Sequence, residues 1–257
     1  MNEIVVLNLW QFSLVYLLLI VVLAIMKKCQ INQTKLLFVA SLRMTVQLVL
    51  AGLILTFIFE NPHPLFTVLY LAAMTAFAIY TILSRNKEIN KRFKVIVAVS
   101  LAGTGLSIVV FFIMVVVEVS LFNPQYTIPL SGMIIGNAMT GVGLGLRSFR
   151  ENLSAQRNRT EALLSIGVSP PKALTPLVNE SLETALMPTL HAMIGMGIIS
   201  LPGLMTGQIL SGVMPMTSIM YQIAIIIAIT AVTSLAVFCS LHFGYKTLYN
   251  KRQQMTY

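Results

Sequence analysis

The chain has 257 residues, of which 57% are hydrophobic and only 10% are charged, and its mean hydropathy is +0.86. A soluble domain of this length would carry about a quarter charged residues, so this composition excludes one. The formal net charge of +9 is compatible with nucleic-acid binding, but the basic residues lie beside apolar stretches of about twenty residues, which indicates membrane topology instead. We therefore predict an all-α, polytopic membrane protein that lies in a lipid bilayer and does not bind nucleic acid.

A helix needs about twenty apolar residues to cross the hydrocarbon core of a bilayer. Seven stretches meet this requirement in chain order, at 7–26, 36–59, 65–83, 95–117, 128–146, 185–201 and 219–243. The fifth and sixth are the weakest, because both are rich in Gly and contain Pro. The first has no basic segment before it and no small-residue cleavage site after it, so we expect it to be a retained span rather than a signal peptide.

The gaps between these stretches alternate in charge. The gaps near Glu3, Glu60 and Glu118 contain no Lys or Arg. All basic residues but one fall in the other gaps: Lys27, Lys28, Lys35, Arg85, Lys87, Lys91, Arg92, Lys94, Arg147, Arg150, Arg157, Arg159, Lys172, Lys246, Lys251 and Arg252. Because cytoplasmic loops retain Lys and Arg, the pattern predicts an outside N-terminus, an inside C-terminus and a location in the cell (inner or plasma) membrane. We expect residues 1–257 to form a single integral membrane domain.

The two cysteines, Cys29 and Cys239, lie at a cytoplasmic border and within the last apolar stretch, so neither indicates a disulfide framework. The chain contains no Asp, no phosphate-binding loop, no His-Glu-x-x-His and no Gly-x-Ser-x-Gly. We expect no catalytic residue and no cofactor, and any ATP hydrolysis would take place in another chain.

Small residues recur four apart in the second half of the chain, as at Gly132 and Gly136, at Gly141 and Gly145, and at Gly203 and Gly207. Such spacing lets helices approach closely in lipid. Two interpretations stay open here: tight packing within the protein, or a pathway or protomer contact formed by this half.

The longest polar segment, about 147–183, has the pattern of an ordered helix–turn–helix on the cytoplasmic surface. Asn158 with Glu161 predicts a helix start, and Gly167 predicts its left-handed stop. Ser169 is then expected to cap a second helix that has Pro170 at its first position. A membrane-skimming loop without this order is the alternative.

Polar side chains within the apolar stretches are costly unless they face a pathway or a partner. Met133, Asn137 and Gly141 lie one turn apart, and so do Met187, His191 and Gly195. Imidazole and thioether groups can both bind transition metals, so His191 is a candidate metal ligand. Hydrogen bonding to a neighbouring helix is the alternative for His191, and gap filling is the alternative for the methionines.

Arg43 and Gln47 lie one turn apart in the second stretch. Arg43 could extend its side chain to the cytoplasmic surface, or it could pair with Glu180 or Glu183. The sequence leaves both possibilities open.

Glu161-Ala162 followed by Gly167 resembles the start of the loop by which ABC-transporter permeases contact their ATPases. The resemblance widens to Arg43 and Gln47 and to a further set of segments: 131–139, 161–170, 186–189, 200–207 and 221–223. Together these are similar to the FetB family of ABC permeases, which includes bacterial proteins linked to iron export and plant relatives linked to aluminium tolerance. An acid often stands in that family where this chain has His191.

The resemblance implies a permease subunit, acting as a homodimer with a separate soluble ABC ATPase and exporting a metal ion, with iron as the expected cargo. It also implies that the ATPase contact is made by a short set of residues: Glu161, Ala162, Gly167, Ser169 and Pro170. The expected pathway or packing positions are Arg43, Gln47, Met133, Gly136, Asn137, Met187, His191 and Gly195. An ATP-independent ion channel or secondary carrier is the alternative, and a membrane scaffold or accessory subunit is a third possibility.

Overall fold

The computed structural model describes residues 8–250, and over this range the regular structure is helical, with one isolated bridge between Met196 and Ser200. The helices, in chain order, are α1 Leu9–Lys28, α2 Thr34–Glu60, α3 Pro64–Arg85, α4 Lys91–Phe111, α5 Pro124–Ala155, α6 Arg157–Ser165, α7 Pro170–Gly195, α8 Gly203–Leu210 and α9 Pro215–Gly244. A π-helical turn, Phe112–Val116, follows α4, and a 3₁₀ turn, Tyr245–Thr247, follows α9. The predicted all-α class is confirmed for these residues. Glu3, Lys251 and Arg252 lie outside them.

Among the described residues, six helices are long and apolar enough to cross a membrane. They are α1, α2, α3, α4 with its π-helical turn, α5, and α9 with its 3₁₀ turn. The predicted span at 185–201 is not one of them. The total of seven spans and the outside N-terminus therefore stay predictions.

The backbone contacts divide the chain into two compact units. The smaller contains α1 and α2, up to Asn61, together with Leu210–Gly212. Within it the hydroxyl groups of Tyr16 and Thr45 are hydrogen bonded at 2.5 Å, which joins α1 to α2. Whether the whole chain acts as one domain stays a prediction.

The larger unit, Pro62–Ile209 with Val213 onward, has α5 at its centre. This helix packs against α3, α4, α7 and α9. Its buried positions recur at helical spacing, as at Ile134, Ala138, Val142, Leu146 and Phe149. Burial of such a stripe supplies the core that positions the polar ends of the unit.

Within the larger unit, the gaps rich in Lys and Arg meet at one end, which we call the basic end. There Arg150 of α5 forms an ion pair with Glu88 at 2.9 Å. The amide of Asn90 donates to the carbonyl of Thr247 at 3.0 Å, so the segment before α4 is joined to the end of the chain's last helix. At the other end, the hydroxyl of Thr67 donates to the carbonyl of Phe122 at 3.3 Å.

Two local expectations were wrong in the segment 147–183. The fifth helix does not stop at Leu146 but continues to Ala155, and α6 begins at Arg157, so Asn158 is not a helix cap. Only Gln156 separates the two helices, and its carbonyl already accepts the backbone N–H of Thr160 at 2.9 Å. This is the first intrahelical bond of α6, and no side chain caps the start of the helix.

The second helix of the segment was also expected to lie on the surface as a separate element. Instead it continues as α7 from Pro170 to Gly195 and includes most of the sixth apolar stretch. The buried positions of α7 run through the polar part without a gap: Ala173, Leu174, Leu177, Val178, Ser181 and Ala185. Glu180 and Glu183 lie on the exposed face. Since the acids leave the packing face unbroken, the helix has no reason to end there.

Candidate functional site

The short helix α6 lies at the basic end and presents an exposed surface. Glu161 and Ala162 are exposed, and Ile166, just after the last residue of the helix, is 78% exposed. Thr160 on the opposite face is buried, and α6 packs against α7. The side chain of Arg157 donates to Glu161 at 2.8 Å, which is an i,i+4 ion pair on the exposed face. An exposed apolar residue beside a paired carboxylate is a surface that can bind a protein partner.

The turn from α6 into α7 is fixed by backbone hydrogen bonds. Gly167 has φ +89°, and its N–H donates to the carbonyl of Leu164 at 3.1 Å. The N–H of Val168 donates to the carbonyl of Leu163 at 3.0 Å. This pair of bonds is a Schellman motif, so the predicted left-handed stop at Gly167 is confirmed.

Ser169 occupies the residue before α7 and Pro170 its first position, as expected. The Ser169 side chain makes no capping hydrogen bond, so the start of α7 depends on the proline, whose fixed φ suits the first turn. The reversal at Gly167 and the helix start at Pro170 leave only two residues, Val168 and Ser169, between them. The link between α6 and α7 is therefore short and hydrogen bonded.

A groove of about 960 Å³ opens at the basic end beside the start of α6. Its floor is apolar, with Phe93 and Phe149 in an edge-to-face contact at 6.4 Å between ring centroids. Its rim carries the pair between Arg150 and Glu88, and Arg150 also donates to Asn86 at 3.4 Å. Sequence reasoning missed this groove, because its walls come from three separate parts of the chain, within 88–93, within 146–157 and at Leu248. The one local signal was Asn90, which caps α4 by accepting from the N–H of Phe93 at 2.7 Å.

A second ion pair on α5 resembles the one on α6. Arg147 donates to Glu151 at 2.8 Å, with the same i,i+4 spacing. The two pairs are alike in geometry but lie on different helices, which makes Glu151 a matched control for Glu161.

Replacement of Arg150 by Ala is expected to lower the free energy of unfolding by less than about 1 kcal/mol, because its side chain and that of Glu88 are 39% and 77% exposed and water screens the pair. The loss should shrink between about 0.05 and 0.5 M salt, since the Debye length shortens over this range. Thermal melting of the detergent-solubilised protein at both salt concentrations measures this. A loss that does not change with salt would mean that Arg150 stabilises the groove by packing rather than by charge.

The structure places the polar positions of α5 and α7 in different settings. Asn137 donates to the carbonyl of Met133 at 2.8 Å and lines a small cleft of about 120 Å³ shared with α7 and α9. His191 and Met187 are exposed and do not line that cleft. An added Cβ on Gly136 would meet no atom within 4 Å, and on Gly195 it would contact only Ile199. Their roles as pathway positions stay predictions, as do those of Arg43 and Gln47 in α2.

No three His, Cys, Asp or Glu side chains come together as a metal site in residues 8–250. A metal ion at His191 would therefore need thioether or backbone ligands. Two nearby thioethers already accept hydrogen bonds: that of Met193 on α7 and that of Met196 just after the helix. The sulfur of Met193 accepts from Thr230 at 3.4 Å, and the sulfur of Met196 accepts from the amide of Gln222 at 3.7 Å. Sequence reasoning quoted Gln222 only as part of a motif and did not connect it with Met196.

Comparison with known proteins identifies the family. Residues 9–249 match the family described as "Uncharacterised protein family (UPF0014)". The chain belongs to the UPF0014 family. With six helices able to span a bilayer within residues 8–250, this member of UPF0014 is a multi-pass membrane protein.

Several UPF0014 relatives are similar along most of their length. The chain is 30% identical over 213 residues to the Escherichia coli (strain K12) protein named "Probable iron export permease protein FetB", which covers 83% of this chain and 81% of that protein. It is 32% identical to the Arabidopsis thaliana "Protein ALUMINUM SENSITIVE 3", covering 83% and 77%. It is 28% identical to the Bacillus subtilis (strain 168) "UPF0014 membrane protein YjkA", covering 95% and 96%. The predicted resemblance to FetB is thus confirmed. No solved structure matches the chain.

Proposed function

We propose that this UPF0014 protein is the membrane-spanning permease subunit of an ABC transporter in the cell membrane, and that it exports a metal ion. The observation that carries the proposal is the exposed helix α6, joined through the Schellman turn at Gly167 to α7. A partner that pushes on α6 moves α7, which packs against α5 and α9. The relative named as a probable iron export permease makes iron the first cargo to test.

In this proposal the chain hydrolyses no ATP. A separate soluble ABC ATPase binds α6 through Glu161, Ala162 and Ile166, and two copies of the chain form the complete transporter. Closure of the ATPases changes the position of α6 and alternately opens the space between α5, α7 and α9 to the two sides of the membrane. The exposed position of Ile166 supports an interface there, because buried apolar anchors next to polar contacts contribute most of the binding energy in protein interfaces.

Co-purification tests the proposal. The tagged chain, co-expressed with the ABC ATPase subunits of its own source genome, should retain one ATPase in detergent. Glu161→Lys should reduce that binding by at least about tenfold, because it turns an attractive charge at the interface into a repulsive one. The matched control Glu151→Lys breaks an ion pair of the same geometry on α5 and should leave binding unchanged.

Two results would contradict the proposal. A folded, monodisperse wild-type chain that binds none of these ATPases would favour an ATP-independent carrier or channel. Equal loss in Glu161→Lys and Glu151→Lys would mean that general surface charge, and not α6, determines the interaction.

A further inference from the structure

The chain between α7 and α8 leaves the helical conformation at a depth where a membrane protein rarely does so. Helix α7 ends at Gly195, Met196 is extended with φ −71° and ψ 134°, and Gly197 has φ +85°. The N–H groups of Ile199 and Ser200 both donate to the carbonyl of Gly195. Helix α8 begins only at Gly203. We call residues 196–202 the α7–α8 break.

The depth of the α7–α8 break follows from helix packing. A Cβ on Gly145 would lie 3.5 Å from Ala185 and 3.6 Å from Leu241, so these three residues share one level. Arg147, two residues further along α5, places that level close to the basic boundary of the membrane. The ten residues from there to Gly195 rise only about 15 Å along α7, at about 1.5 Å per residue.

The same estimate on α9, counted from the same level, gives a larger value. Nineteen residues separate Leu241 from Gln222, which corresponds to about 28 Å of helix rise. Since the amide of Gln222 contacts Met196, both values describe the α7–α8 break, and they place it about 15 to 28 Å from the basic boundary of a hydrocarbon core about 30 Å thick. Irregular backbone at such depth is tolerated only where protein covers it or where it lines a polar cavity.

The groups gathered at the α7–α8 break accept hydrogen bonds or metal ions. Gln222 is only 5% exposed, and its Oε1 is buried with no hydrogen-bond partner in the described structure. Its Nε2 donates to the thioether of Met196. The thioether of Met193 contacts the hydroxyl of Thr230, which lies eight residues, or about 12 Å of helix rise, from Gln222 on α9, so it is not part of this group. The end of α7 adds the partial negative charge of a helix C-terminus.

The charge of this region determines which ligand suits it. No Lys or Arg occurs between residues 173 and 245, so this stretch of the chain places no basic side chain beside these acceptors. The amide, thioether and backbone groups are all uncharged, which favours a monovalent ion over a more strongly hydrated divalent one. Thioether ligands select soft ions such as Cu(I).

We propose that the α7–α8 break, with Met196 and Gln222, is a binding site for a soft monovalent cation on the transport pathway. This inference rests on the proposed transport function and specifies a cargo class for it. Interrupted membrane helices provide ion sites because backbone carbonyls and helix ends become available there. The buried, unpartnered Oε1 of Gln222 is the atom that a bound cation would satisfy.

Silver(I) is a suitable probe, since it shares the preference of Cu(I) for sulfur and does not change oxidation state in air. The full-length protein is titrated with silver nitrate in chloride-free buffer by isothermal calorimetry. The background variant Cys29→Ser/Cys239→Ala removes the two free thiols, which would otherwise bind silver. In this background we expect one site per chain that binds more tightly than the remaining thioethers.

Two substitutions test the assigned ligands. Met196→Leu removes the sulfur at similar volume, and Gln222→Leu removes the buried carbonyl oxygen. Each should weaken silver binding by at least about tenfold, because loss of even an indirect ligand contact costs about 10- to 100-fold in metal affinity. Met216→Leu, at an exposed thioether near the start of α9, is the matched control and should bind as the background does.

Equal silver affinity in the background, Met196→Leu, Gln222→Leu and Met216→Leu would overturn the proposal and assign Met196 to packing alone. A second readout guards against misfolding: each variant should elute from size exclusion as the background protein does, and silver should raise the melting temperature of the background but not that of Gln222→Leu. No ATPase is present in the titration. Its outcome is therefore independent of the co-purification test, and either proposal can fail alone.

Discussion

Gly141→Ala and Gly145→Ala are each expected to lower the free energy of unfolding by about 1–3 kcal/mol, because α5 and α9 have no room for an added methyl group. A Cβ on Gly145 would lie 2.8 Å from the side chain of Val237, and a Cβ on Gly141 would overlap the methyl group of Thr233. Val237 and Thr233 are fully or almost fully buried, so neither can move aside without disturbing its neighbours. Thermal unfolding of the purified protein in detergent, followed by size exclusion after heating, measures the loss.

Gly143→Ala is the matched control on the same helix. A Cβ at Gly143 would meet no atom within 4 Å. Since Ala favours a helix over Gly by up to about 1 kcal/mol, this variant should be as stable as the wild type or slightly more so. If all three alanine variants melt at the same temperature, the close approach of α5 and α9 does not occur in the folded protein.

These two glycines also decide between the interpretations that the sequence left open. The spacing of Gly141 and Gly145 predicted a close helix contact but not its partner. The structure assigns them to α9 of the same chain, so they pack within the protein. A Cβ on Gly132 would lie 3.2 Å from the side chain of Met74, whereas a Cβ on Gly136, Gly203 or Gly207 would meet no atom within 4 Å. Glycines spaced four apart thus occur both at close helix contacts and at open positions, and the spacing alone does not distinguish the two.

The membrane helices could be predicted where hydropathy is high and uniform, as in α1 to α4 and α9. Hydropathy was less informative for α7, because Glu180 and Glu183 lower its mean value although they lie on the exposed face of a continuous helix. A window average does not record on which face a charged residue lies, whereas the buried stripe from Ala173 to Ala185 does. Helical spacing of the small and apolar residues was the signal that could have connected the two segments.

The candidate site likewise has one part that the sequence predicted and another that it did not. The turn at Gly167 was predictable, because a glycine directly after a short helix commonly adopts the left-handed conformation that ends the helix. This depends only on the local sequence. The contact between Met196 and Gln222 was not, because the two residues are 26 positions apart and meet only through the packing of α7 on α9. The groove at the basic end was missed for the same reason. A turn formed by neighbouring residues can be predicted from the sequence, whereas a contact between residues of two helices depends on how the helices pack.

Gly167→Val is expected to separate the folding of the protein from its binding to the ATPase. The φ of +89° at Gly167 is strained for any side chain and most of all for a β-branched one. The variant must either accept up to about 3 kcal/mol of strain or lose the two Schellman hydrogen bonds that hold α6 against α7. Because the turn lies at the surface, the core around α5 should be unaffected, while the position of α6 is lost.

We therefore expect Gly167→Val to enter the membrane and elute like the wild type, but to bind the ATPase up to about 100-fold more weakly, which is the equivalent of that strain. Gly167→Asn is the control, since Asn adopts the left-handed conformation more readily than other side chains and should retain most of the binding. Co-purification of both variants, with ATP hydrolysis by the reconstituted complex as a second readout, decides the matter. Equal ATPase binding by the Val and Asn variants would show that the backbone geometry of this turn is irrelevant to coupling, and the role assigned to α6 would then be wrong.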